Sequence, residues 1–532
     1  MIIRNILREF TFLGNKVAQL FRGYFLFKSI RNQKQYDVPI TVVFHTAHVM
    51  PIYRDIELFF GYQLALKGVK IKIIFDDGCL KHWDNAQIHD LSKPLSLYRQ
   101  KSLFNFKIDK KVAEFIYHHK NIERIYYSTI FKNIKLNEIE LNNDDKSQAI
   151  NSVNRYFEEG IFDPKQKEQK KYYNLSLQNC KMSKAVGQYI VNELKPDIFI
   201  SSHGTYSTWG PCYNYVKKHN IPSVIYESHI YRKQKMFIID AIHQLVYKDT
   251  DWNRFKNNQI TQEGKLLVDQ YFHRRISHTT FDTSIYFNHT GPINDDLQLN
   301  KRKTDGMVFG MFPNVVWDGD IVERNSIFNG LIEWIEYTIK VLIGTKHDLI
   351  IRFHPSEATM FKGTNRLMDI LLKRNPEIMD YANITLIPSE ENIDSYALIK
   401  NHIDIGLVYS GILALEMTYL SIPVISCSHN FYSETGIAYE PKSQNEYKRM
   451  LLGTSSLRED FNNNIGFIRD NLYRYAYWYF IKSAYDVPIL NPQKVFRVDY
   501  RQLTKNDIDP TKNKALERTI EKLLSYGNRI YN

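Results

Sequence analysis

Short apolar runs alternate with helical segments along most of this chain, and this alternation restricts the folds that it can adopt. The opening shows the pattern: ITVVFHT (40–46) has strand character, residues 53–68 have helical periodicity, and VKIKIIFDDG (69–78) returns to a strand and a turn. Strands that are apolar on both faces and separated by helices call for a parallel sheet covered on both sides. The sequence therefore predicts an α/β protein.

The alternation occurs in two series, one in each half of the chain. At roughly 100 to 200 residues per domain, the 532 residues also indicate two domains with appendages. We expect two Rossmann-like domains facing a cleft, with ligands bound beyond the carboxyl ends of the strands. The other strand-like runs are PDIFISSHG (196–204) and IPSVIYES (221–228) in the first series, and MVFGMF (307–312), HDLIIRFHP (347–355), NITLIP (383–388), HIDIGLVYSG (402–411) and IPVISC (422–427) in the second.

Changes in composition between these runs give the expected boundaries. Residues from about 85 to 195 are charged, tyrosine-rich and mostly helical in pattern, which predicts a helical insertion or layer in the first domain. The polar segment 289–306 predicts an interdomain linker. The predicted divisions are a basic amphipathic leader (1–36), an N-terminal Rossmann-like domain (37–300), a C-terminal Rossmann-like domain (301–485) and a C-terminal tail or helix (486–532).

The leader (1–36) contains seven basic residues and one acidic residue, Glu9, interspersed with apolar and aromatic side chains. This pattern suits a peripheral contact with an anionic membrane surface, and it equally suits a helix that docks on the body of the protein. Charges interrupt every apolar stretch, which fits a cleaved signal peptide badly. No uninterrupted apolar run of about 18 residues occurs, so an ordinary membrane-spanning helix is not predicted.

Composition excludes several other classes. The fractions of hydrophobic residues (43%) and charged residues (24%) are those of a folded globular chain. The net charge of +12 is mild, and we expect no nucleic-acid partner. The four cysteines lie far apart, with neither the paired spacing of a zinc site nor a disulfide pattern, which indicates a reducing cytosol. We expect a cytoplasmic protein, peripheral on the inner face of the cytoplasmic membrane.

The segment RFHPSE (352–357) directly follows a strand-like run. Pro355 ends that strand and presents Arg352 and His354 near its carboxyl end. A guanidinium and an imidazole at this place can neutralise a phosphate through charge-assisted hydrogen bonds. The alternative is a surface loop in which Ser356 caps a helix.

A second candidate element is YSGILALEMTYLSIPVI (409–425), which reads as a strand end, a turn of small residues and a helix. Ser410 and Gly411 would let a phosphate approach the helix N-terminus, where the helix dipole favours an anion. Glu416 lies just over one turn later and can accept hydrogen bonds from a ribose. The alternative is a glycine required only by the loop.

These segments resemble bacterial glycosyltransferases of the GT-B architecture, in particular capsule and lipopolysaccharide enzymes with a His-Pro motif, including Kdo transferases and sialyltransferases. The resemblance covers most of residues 38–485, and FPNVVWDG (312–319) with Asn314 is among its specific pieces. It implies that His354 contacts the phosphate of a nucleotide-sugar donor, which is a substrate and not a cofactor, and that Glu416 meets its ribose. It also implies that no metal is needed.

The sequence departs from the sialyltransferase pattern at two places. Asp76, Asp77 and Gly78 look like the acidic triplet that supplies a general base there, but they also fit an ordinary turn after the second strand. Those enzymes place two hydroxyl residues near the donor phosphate, whereas Ser410 is followed here by Gly411. A CMP-linked donor is therefore not implied.

A general base must lie within hydrogen-bond reach of the acceptor hydroxyl, so the candidates are residues that we expect to follow strands and face the cleft. Asp77 and His203 are the first candidates, and each also has an ordinary role in a loop. Asp318 could reach the cleft or cap a helix. The full set of further cleft candidates is His45, Glu227, Asn314 and Asp318.

The predicted function is transfer of a sugar from a nucleotide donor to a growing surface polysaccharide, with a glycan or lipid-linked glycan as acceptor. Two alternatives remain open at this stage. One is a polyol-phosphate transferase of the teichoic-acid type with a CDP-linked donor. The other is a catalytically silent scaffold in polysaccharide assembly.

Overall fold

The computed structural model describes residues 21–30, 40–47, 51–82, 115–157, 162–229, 233–279, 306–315, 326–359, 366–492 and 498–527. Asp318, nearly all of the predicted linker and most of the leader lie outside these residues. The chain divides into two compact units. Unit 1 comprises Met1–Ala149, Lys171–Ile242 and Ser483–Asn532, and unit 2 comprises Ile150–Lys170 and His243–Lys482.

A seven-stranded sheet forms the centre of unit 1. Five strands run parallel in the order β3-β2-β1-β4-β5; β6 pairs antiparallel with β5, and β12 pairs antiparallel with β6. This order is that of a Rossmann fold, with the switch point between β1 and β4. The strands are β1 (Thr41–Thr46), β2 (Lys70–Phe75), β3 (Ile122–Tyr126), β4 (Ile198–Ser202), β5 (Ser223–Ser228), β6 (Lys235–Ile239) and β12 (Tyr485–Asp486).

Unit 2 contains a second sheet of five strands, all parallel, in the order β9-β8-β7-β10-β11. It repeats the Rossmann order of unit 1, with its switch point between β7 and β10. The predicted α/β class with two Rossmann-like domains is confirmed by these two sheets. The strands are β7 (Val308–Phe312), β8 (Asp348–Arg352), β9 (Ile384–Ile387), β10 (Ile405–Val408) and β11 (Val424–Ser426).

Helices connect the strands and cover the sheets, and each unit has its own apolar core. In the described residues the helices are α1 (21–30), α2 (Pro51–Leu66), α3 (Tyr127–Ile130), α4 (Asn143–Phe157), α5 (Lys167–Tyr189), α6 (Tyr206–Lys218), α7 (Thr250–Phe255), α8 (Gln262–Ile276), α9 (Leu331–Leu342), α10 (Ser356–Thr359), α11 (Leu367–Arg374), α12 (Ser395–His402), α13 (Leu413–Tyr419), α14 (Gln444–Leu452), α15 (Thr454–Ala476), α16 (Lys505–Ile508) and α17 (Lys514–Leu524). Short 3₁₀ segments occupy Leu136–Glu138, His243–Lys248 and Pro376–Asp380, and π-helical turns at Ile190–Leu194 and Tyr477–Lys482 extend α5 and α15.

The predicted insertion at about 85–195 is only partly helical. Its sequence IERIY forms β3, which pairs in parallel with β2 and completes the Rossmann order. Two apolar residues, Ile122 and Ile125, are buried, whereas Glu123 between them is exposed. An edge strand this short and this charged has little hydrophobic pattern, so the sequence did not reveal it.

The division into units differs from the predicted boundaries. Residues 243–279 belong to unit 2, although the sequence placed them before a linker at 289–306. The predicted tail is an integral part of unit 1, since β12 pairs with β6 and α17 buries Leu516, Ile520 and Leu523 in the core of that unit. These contacts join segments hundreds of residues apart, which local patterns do not encode.

Helix α1 is the part of the leader that the structure describes. Phe27 and Ile30 are fully buried in the core of unit 1, and the hydroxyl of Tyr62 donates to the carbonyl of Phe27 at 3.2 Å. On the opposite side, Phe21 and Phe25 are 58% and 63% exposed. This helix therefore docks on the protein, and the membrane contact stays a prediction. Among the described residues, no helix has the length and apolar character needed to cross a bilayer.

Candidate functional site

Asn314 and Ser410 meet at the switch point of unit 2, just beyond the ends of β7 and β10. The backbone N–H and the hydroxyl of Ser410 both donate to Oδ1 of Asn314, at 3.2 and 3.0 Å. Gly411 follows with φ of 113°, a conformation that only glycine adopts readily, and an added Cβ would lie 3.5 Å from Nδ2 of Asn314. The structure thus brings together three predicted residues in a polar turn of small side chains.

His354 lies two residues beyond the end of β8, the strand next to β7. Its Nδ1 accepts a hydrogen bond from the backbone N–H of Ser356 at 3.1 Å, so the neutral ring carries its proton on Nε2. Burial and the positive charge of Arg352 lower the pKa of His354 to about 4. At neutral pH this imidazole is therefore an uncharged donor. In this uncharged form it would therefore act on a phosphate as a hydrogen-bond donor, and its contact with a donor phosphate stays a prediction.

Arg352 ends β8 with its side chain buried. Nη1 donates to the carbonyl oxygens of Phe353 (3.0 Å) and Pro388, and Nη2 donates to that of Glu391 at 2.9 Å. Burial lowers the pKa of Arg352 to about 10, so it stays cationic at neutral pH. These contacts tie the segment after β9 to β8, which is a structural role that the sequence did not predict for Arg352.

Glu416 is buried on α13, where one of its carboxylate oxygens accepts a hydrogen bond from Nε of Arg275 on α8. Burial together with the negative charge of Glu416 raises the pKa of the nearby Tyr396 hydroxyl. Breaking a buried ion pair of this kind is costly, because it leaves an uncompensated charge. The ribose contact of Glu416 stays a prediction, and its partner Arg275 was not found from sequence.

Glu357 is a further residue of this edge that the sequence reasoning did not nominate, although it is part of RFHPSE. Oε1 accepts a hydrogen bond from the backbone N–H of Leu367 at 3.4 Å, whereas Oε2 has no hydrogen-bond partner in the described part of the chain. Burial raises the pKa of Glu357 to about 7. The neighbouring Pro355 and Ser356 are also buried. The position of Glu357 only three residues after His354 is the one sequence signal that could have indicated it.

His203 follows β4 at the switch point of unit 1. Its backbone is left-handed with φ of 56°, an arrangement that costs a non-glycine residue roughly 1–3 kcal/mol and persists only where the surroundings enforce it. The ring stacks on Trp209 at 5.0 Å, meets the edge of Tyr53 at 5.1 Å, and contacts the hydroxyl of Ser202 through Nδ1. His203 is thus held in one orientation while remaining partly exposed.

Asp77 lies after β2 and is engaged with α3. Its Oδ1 accepts from the backbone N–H of Ser128 at 3.0 Å, and its Oδ2 accepts from the hydroxyl of the same residue at 2.5 Å. Oδ1 of Asp76 accepts from the backbone N–H groups of Gly78, Cys79 and Leu80 at 2.8–3.2 Å. The acidic pair therefore builds a turn, and both oxygens of Asp77 already accept hydrogen bonds.

Asp76, Asp77 and Cys79 bring three potential metal ligands within 4.8 Å of one another. Their chemistry does not favour a metal, because Asp76 already accepts three backbone hydrogen bonds and Cys79 is protonated. Burial and the adjacent carboxylates raise the pKa of that thiol to about 12, whereas a metal requires the thiolate. All four cysteines carry free thiols.

Two other candidates lie inside strands, which corrects the expectation that they follow them. His45 is part of β1 and fully buried, with Nε2 at 2.5 Å from the hydroxyl of Tyr127, and burial lowers its pKa to about 3. Glu227 belongs to β5, where it pairs with Phe237 of β6. Their strands continue one residue beyond each of them, so neither occupies the loop position that the sequence predicted.

Glu57 is a buried carboxyl that was not predicted from the sequence, because it lies in the middle of the apolar helix α2. One of its oxygens contacts the hydroxyl of Thr46, and the other accepts from the hydroxyl of Tyr226 at 2.8 Å. Burial raises the pKa of Glu57 to about 8. At neutral pH this side chain is therefore mostly a neutral acid beneath the switch point of unit 1.

No protein-family profile matches the sequence, and no curated protein sequence matches it. The chain is similar in structure to the beta Kdo 2,4 transferase of KpsC from Thermosulfurimonas dismutans, with 13% identity, 49% of this chain and 78% of that chain covered, and a TM-score of 0.32. It is also similar to UDP-GlcNAc 2-epimerase from Neisseria meningitidis, with 11% identity, 83% of this chain and 98% of that chain covered, and a TM-score of 0.27. For OtsA the identity is 10%, 84% of this chain and 99% of that chain are covered, and the TM-score is 0.30. The fold class rests on the strand order of the two sheets.

Proposed function

We propose that the protein is a glycosyltransferase that binds a nucleotide-sugar donor at the carboxyl edge of the unit 2 sheet. The observation that supports it best is the set of uncharged polar groups at the ends of three adjacent strands, β10, β7 and β8. Neighbouring strands lie about 4.8 Å apart, so the turn of Ser410 and Asn314 and the imidazole of His354 span about 10 Å. That span matches the diphosphate of a nucleotide rather than a single small anion.

In the proposed reaction the bond between the anomeric carbon and the phosphate oxygen breaks, and its electron pair stays on the phosphate. The Nε2–H of His354 donates to that phosphate as its negative charge grows, which stabilises the transition state more than the bound donor. The acceptor hydroxyl forms the new bond and gives its proton to a base. His203 is the better candidate for this base, because both oxygens of Asp77 already accept hydrogen bonds from Ser128.

The proposed acceptor is a glycan or lipid-linked glycan of a bacterial surface polysaccharide, of the capsule or lipopolysaccharide type. The exposed rings of Phe21 and Phe25 on α1, next to exposed Arg22 and Lys28, support contact with an anionic membrane on which such an acceptor is carried. The proposed location is therefore the inner face of the cytoplasmic membrane.

The deciding experiment is a binding and turnover screen of CMP-, UDP-, GDP- and CDP-linked donors with the purified full-length chain. A sugar transferred from one of them, without phosphate in the product, supports the proposal. Phosphate transferred from a CDP-linked polyol would replace it with the polyol-phosphate alternative. If the protein neither binds nor consumes any donor of the screen, the proposal is wrong and the catalytically silent scaffold role is favoured.

A further inference from the structure

A pocket of about 320 Å³ lies at the carboxyl edge of the unit 1 sheet, away from its switch point. Asp486 of β12 lines this pocket and pairs with Lys235 at the start of β6. The next residue of β6, Met236, pairs with Ser228, which is the last residue of β5. Asp486 therefore lies just beyond the end of β5, at the same edge of the sheet as His203, which follows β4.

The pocket is separated from the switch point by several strands. The order β12-β6-β5-β4 places three strand spacings between Asp486 and the end of β4. At about 4.8 Å for each spacing, this is roughly 14 Å along the edge of the sheet. Proton transfer requires hydrogen-bond reach, so a group bound in the pocket does not react at His203. The position suits a remote part of a ligand whose reacting end lies at the switch point.

Hydrogen bonds between distant segments hold the walls of the pocket. Nε2 of Gln234, which precedes β6, donates to the carbonyl of Leu490 at 2.7 Å. Nδ2 of Asn513, the residue before α17, donates to the carbonyl of Asp507 on α16 at 2.8 Å. The pocket is thus pre-formed, as small-ligand sites usually are, and its volume lies at the lower end of their range of roughly 300–1,000 Å³.

Two aspartates of the lining each use one carboxylate oxygen within the protein. Oδ1 of Asp486 accepts from Nζ of Lys235 at 2.5 Å, and Oδ2 of Asp507 accepts from the backbone N–H and the hydroxyl of Thr504, both at 2.7 Å. Within the described part of the chain, the second oxygen of each aspartate accepts no hydrogen bond, and the exposed side chain of Gln502 makes none. These acceptors favour a ligand rich in hydrogen-bond donors, such as the hydroxyl groups of a sugar.

The charge of the lining selects against an anionic ligand. The charged residues that line the pocket are all aspartates, namely Asp486, Asp499 and Asp507. Asp486 and Asp499 form ion pairs with Lys235 and Arg501, whereas Asp507 forms none with the residues that the structure describes. A phosphate or an acidic sugar would face like charge here, which is unfavourable. The pocket therefore does not suit a second nucleotide-sugar donor.

We propose that this pocket is a subsite for an uncharged sugar residue of the acceptor glycan, remote from the hydroxyl that is glycosylated. A sugar combines hydroxyl donors for the free carboxylate oxygens with C–H groups for the apolar side chains of Pro488 and Leu490, which also line the pocket. Binding energy from such a remote contact adds to the recognition of a long acceptor. The inference rests on the proposed function for the role of the glycan as an acceptor, whereas the binding of the sugar requires no turnover.

Calorimetric titration of the full-length chain tests the subsite without turnover. The probes are neutral oligosaccharides of glucose, galactose, mannose and N-acetylglucosamine, and acidic ones that contain sialic acid, Kdo or a uronic acid. We expect a neutral oligosaccharide to bind and the acidic ones to bind at least tenfold more weakly. Gln502→Ala should weaken the binding by about 2- to 10-fold and Asp486→Ala by about 10- to 100-fold, as the loss of a neutral and of a charged hydrogen bond implies.

Two substitutions elsewhere in unit 1 are matched controls. Gln178→Ala changes another exposed glutamine, on α5, and Glu123→Ala breaks the ion pair with Lys72 at the β3 edge, opposite the β12 edge of the sheet. Both variants should bind the oligosaccharide as the wild type does. Because the exposed side chain of Gln502 makes no hydrogen bond within the described part of the chain, Gln502→Ala should fold normally and keeps the test decisive if Asp486→Ala does not fold.

The outcomes separate this inference from the proposed function. Binding of a neutral oligosaccharide that both pocket variants weaken, in a protein that transfers no sugar, would support the sugar pocket and overturn the function instead. In an active protein, both variants should raise the KM for a long acceptor and not the KM for the donor. That rise should be lost with a monosaccharide acceptor, which cannot reach from His203 to the pocket.

Three results would overturn the subsite. The first is that no neutral oligosaccharide binds, or that acidic ones bind more tightly. The second is an affinity that neither Gln502→Ala nor Asp486→Ala changes. The third is binding of a polyamine such as spermidine in the absence of any sugar binding, which would make the pocket a cation site.

Discussion

Units 1 and 2 share one order of five parallel strands, yet the carboxyl edges of their sheets carry different chemistry. At the switch point of unit 2, Asn314 and Ser410 form a polar turn next to an imidazole whose proton lies on Nε2. At the switch point of unit 1, His203 stacks on Trp209, meets the edge of Tyr53 and contacts the hydroxyl of Ser202, and our proposed function makes it the acceptor of a proton. The shared strand order fixes where a site forms, and the side chains decide whether it donates hydrogen bonds or accepts a proton.

Removal of the imidazole of His203 should have the largest effect and tests the unit 1 half of the comparison. We expect His203→Ala to lower kcat by about 100- to 10,000-fold, the usual cost of losing a general base, while donor affinity is retained. The measurement is steady-state kinetics together with donor titration by calorimetry. His219→Ala is the control, because His219 is exposed and lies at the opposite, amino edge of the same sheet. A rate within tenfold of the wild type would move the assignment to Asp77, tested by Asp77→Asn.

The helix α1 belongs to unit 1 alone. Substitutions of its buried Phe27 and its exposed Phe25 test its docking on the protein and its predicted membrane contact separately. Phe27→Ala should lower the free energy of unfolding by about 3–5 kcal/mol, because that ring is fully buried. Phe25→Ala, which changes an exposed ring, should leave stability nearly unchanged and weaken co-sedimentation with anionic vesicles. Equal losses of stability in the two variants would contradict the docked orientation of α1. Unchanged vesicle binding in Phe25→Ala at low salt would contradict the membrane contact.

Removal of the imidazole of His354 tests the proposed donor site at the carboxyl edge of the unit 2 sheet. We expect His354→Ala to weaken donor binding and lower turnover by about a hundredfold, since a hydrogen bond to a charged group contributes about 1.5–3 kcal/mol. His402→Ala is the control within the same unit, because His402 ends α12 just before β10 and so lies at the amino edge of that sheet. Unchanged donor affinity in folded His354→Ala protein would remove His354 from the site.

Acid stability should differ between the units. In unit 1, burial lowers the pKa of His45 and His82 to about 3. Below about pH 6.5 the unfolded chain binds protons at these rings and the folded protein does not, so the free energy of unfolding decreases as the pH decreases, by about 1.4 kcal/mol per pH unit for each ring. Glu57, with its pKa raised to about 8, loses stability instead as pH rises from about 4.5 and offsets one ring. In unit 2, the effects of His354 and Glu357, with pKa values of about 4 and 7, oppose each other, while burial also lowers the pKa of His347 and His429.

The measurement is urea unfolding of the wild type and of His45→Gln at pH 6.5 and pH 5.0. We expect the wild type to lose stability on acidification and His45→Gln to lose about 2 kcal/mol less, since the glutamine does not titrate. The same loss in both proteins would mean that His45 does not stay neutral in the folded state.

Chelation should have the smallest effect. Because the proposed reaction relies on hydrogen-bond donors of unit 2 for the phosphate, we expect turnover to be unchanged after treatment with excess EDTA. The control is re-addition of Mg²⁺ or Mn²⁺ to the treated protein. A loss of activity that either ion restores would contradict the metal-free mechanism and direct attention to the group of Asp76, Asp77 and Cys79.

Local patterns were sufficient for the residues that end strands. The run before His354 and Pro355 predicted a strand with a polar end, and β8 ends at Arg352. The turn at Ser410 and Gly411 likewise follows β10 as expected. Such positions are readable because a parallel strand needs a continuous apolar stretch, and its end is marked by the first polar, proline or glycine residues.

Patterns failed where a polar side chain interrupts an apolar helix or where partners are distant in sequence. Glu57 stands among the apolar residues of α2 and looks like a chance interruption until Thr46 and Tyr226 are placed beside it. Arg275 precedes Glu416 by 141 positions, so no local spacing links them. The edge strand β3 and the division of the chain at Ile242 were missed for the same reason.

The sequence by itself determined the α/β class, the two Rossmann-like series and the candidate residues at strand ends, because these depend on apolar periodicity and on local turn chemistry. Only the tertiary structure decided which polar groups are buried and which neighbours share their hydrogens. That decision sets the charge of His354, the hydrogen bonds of Arg352 and the contacts of Glu57 with Thr46 and Tyr226. Protonation depends on burial and on contacts between distant segments, and neither exists until the chain is folded.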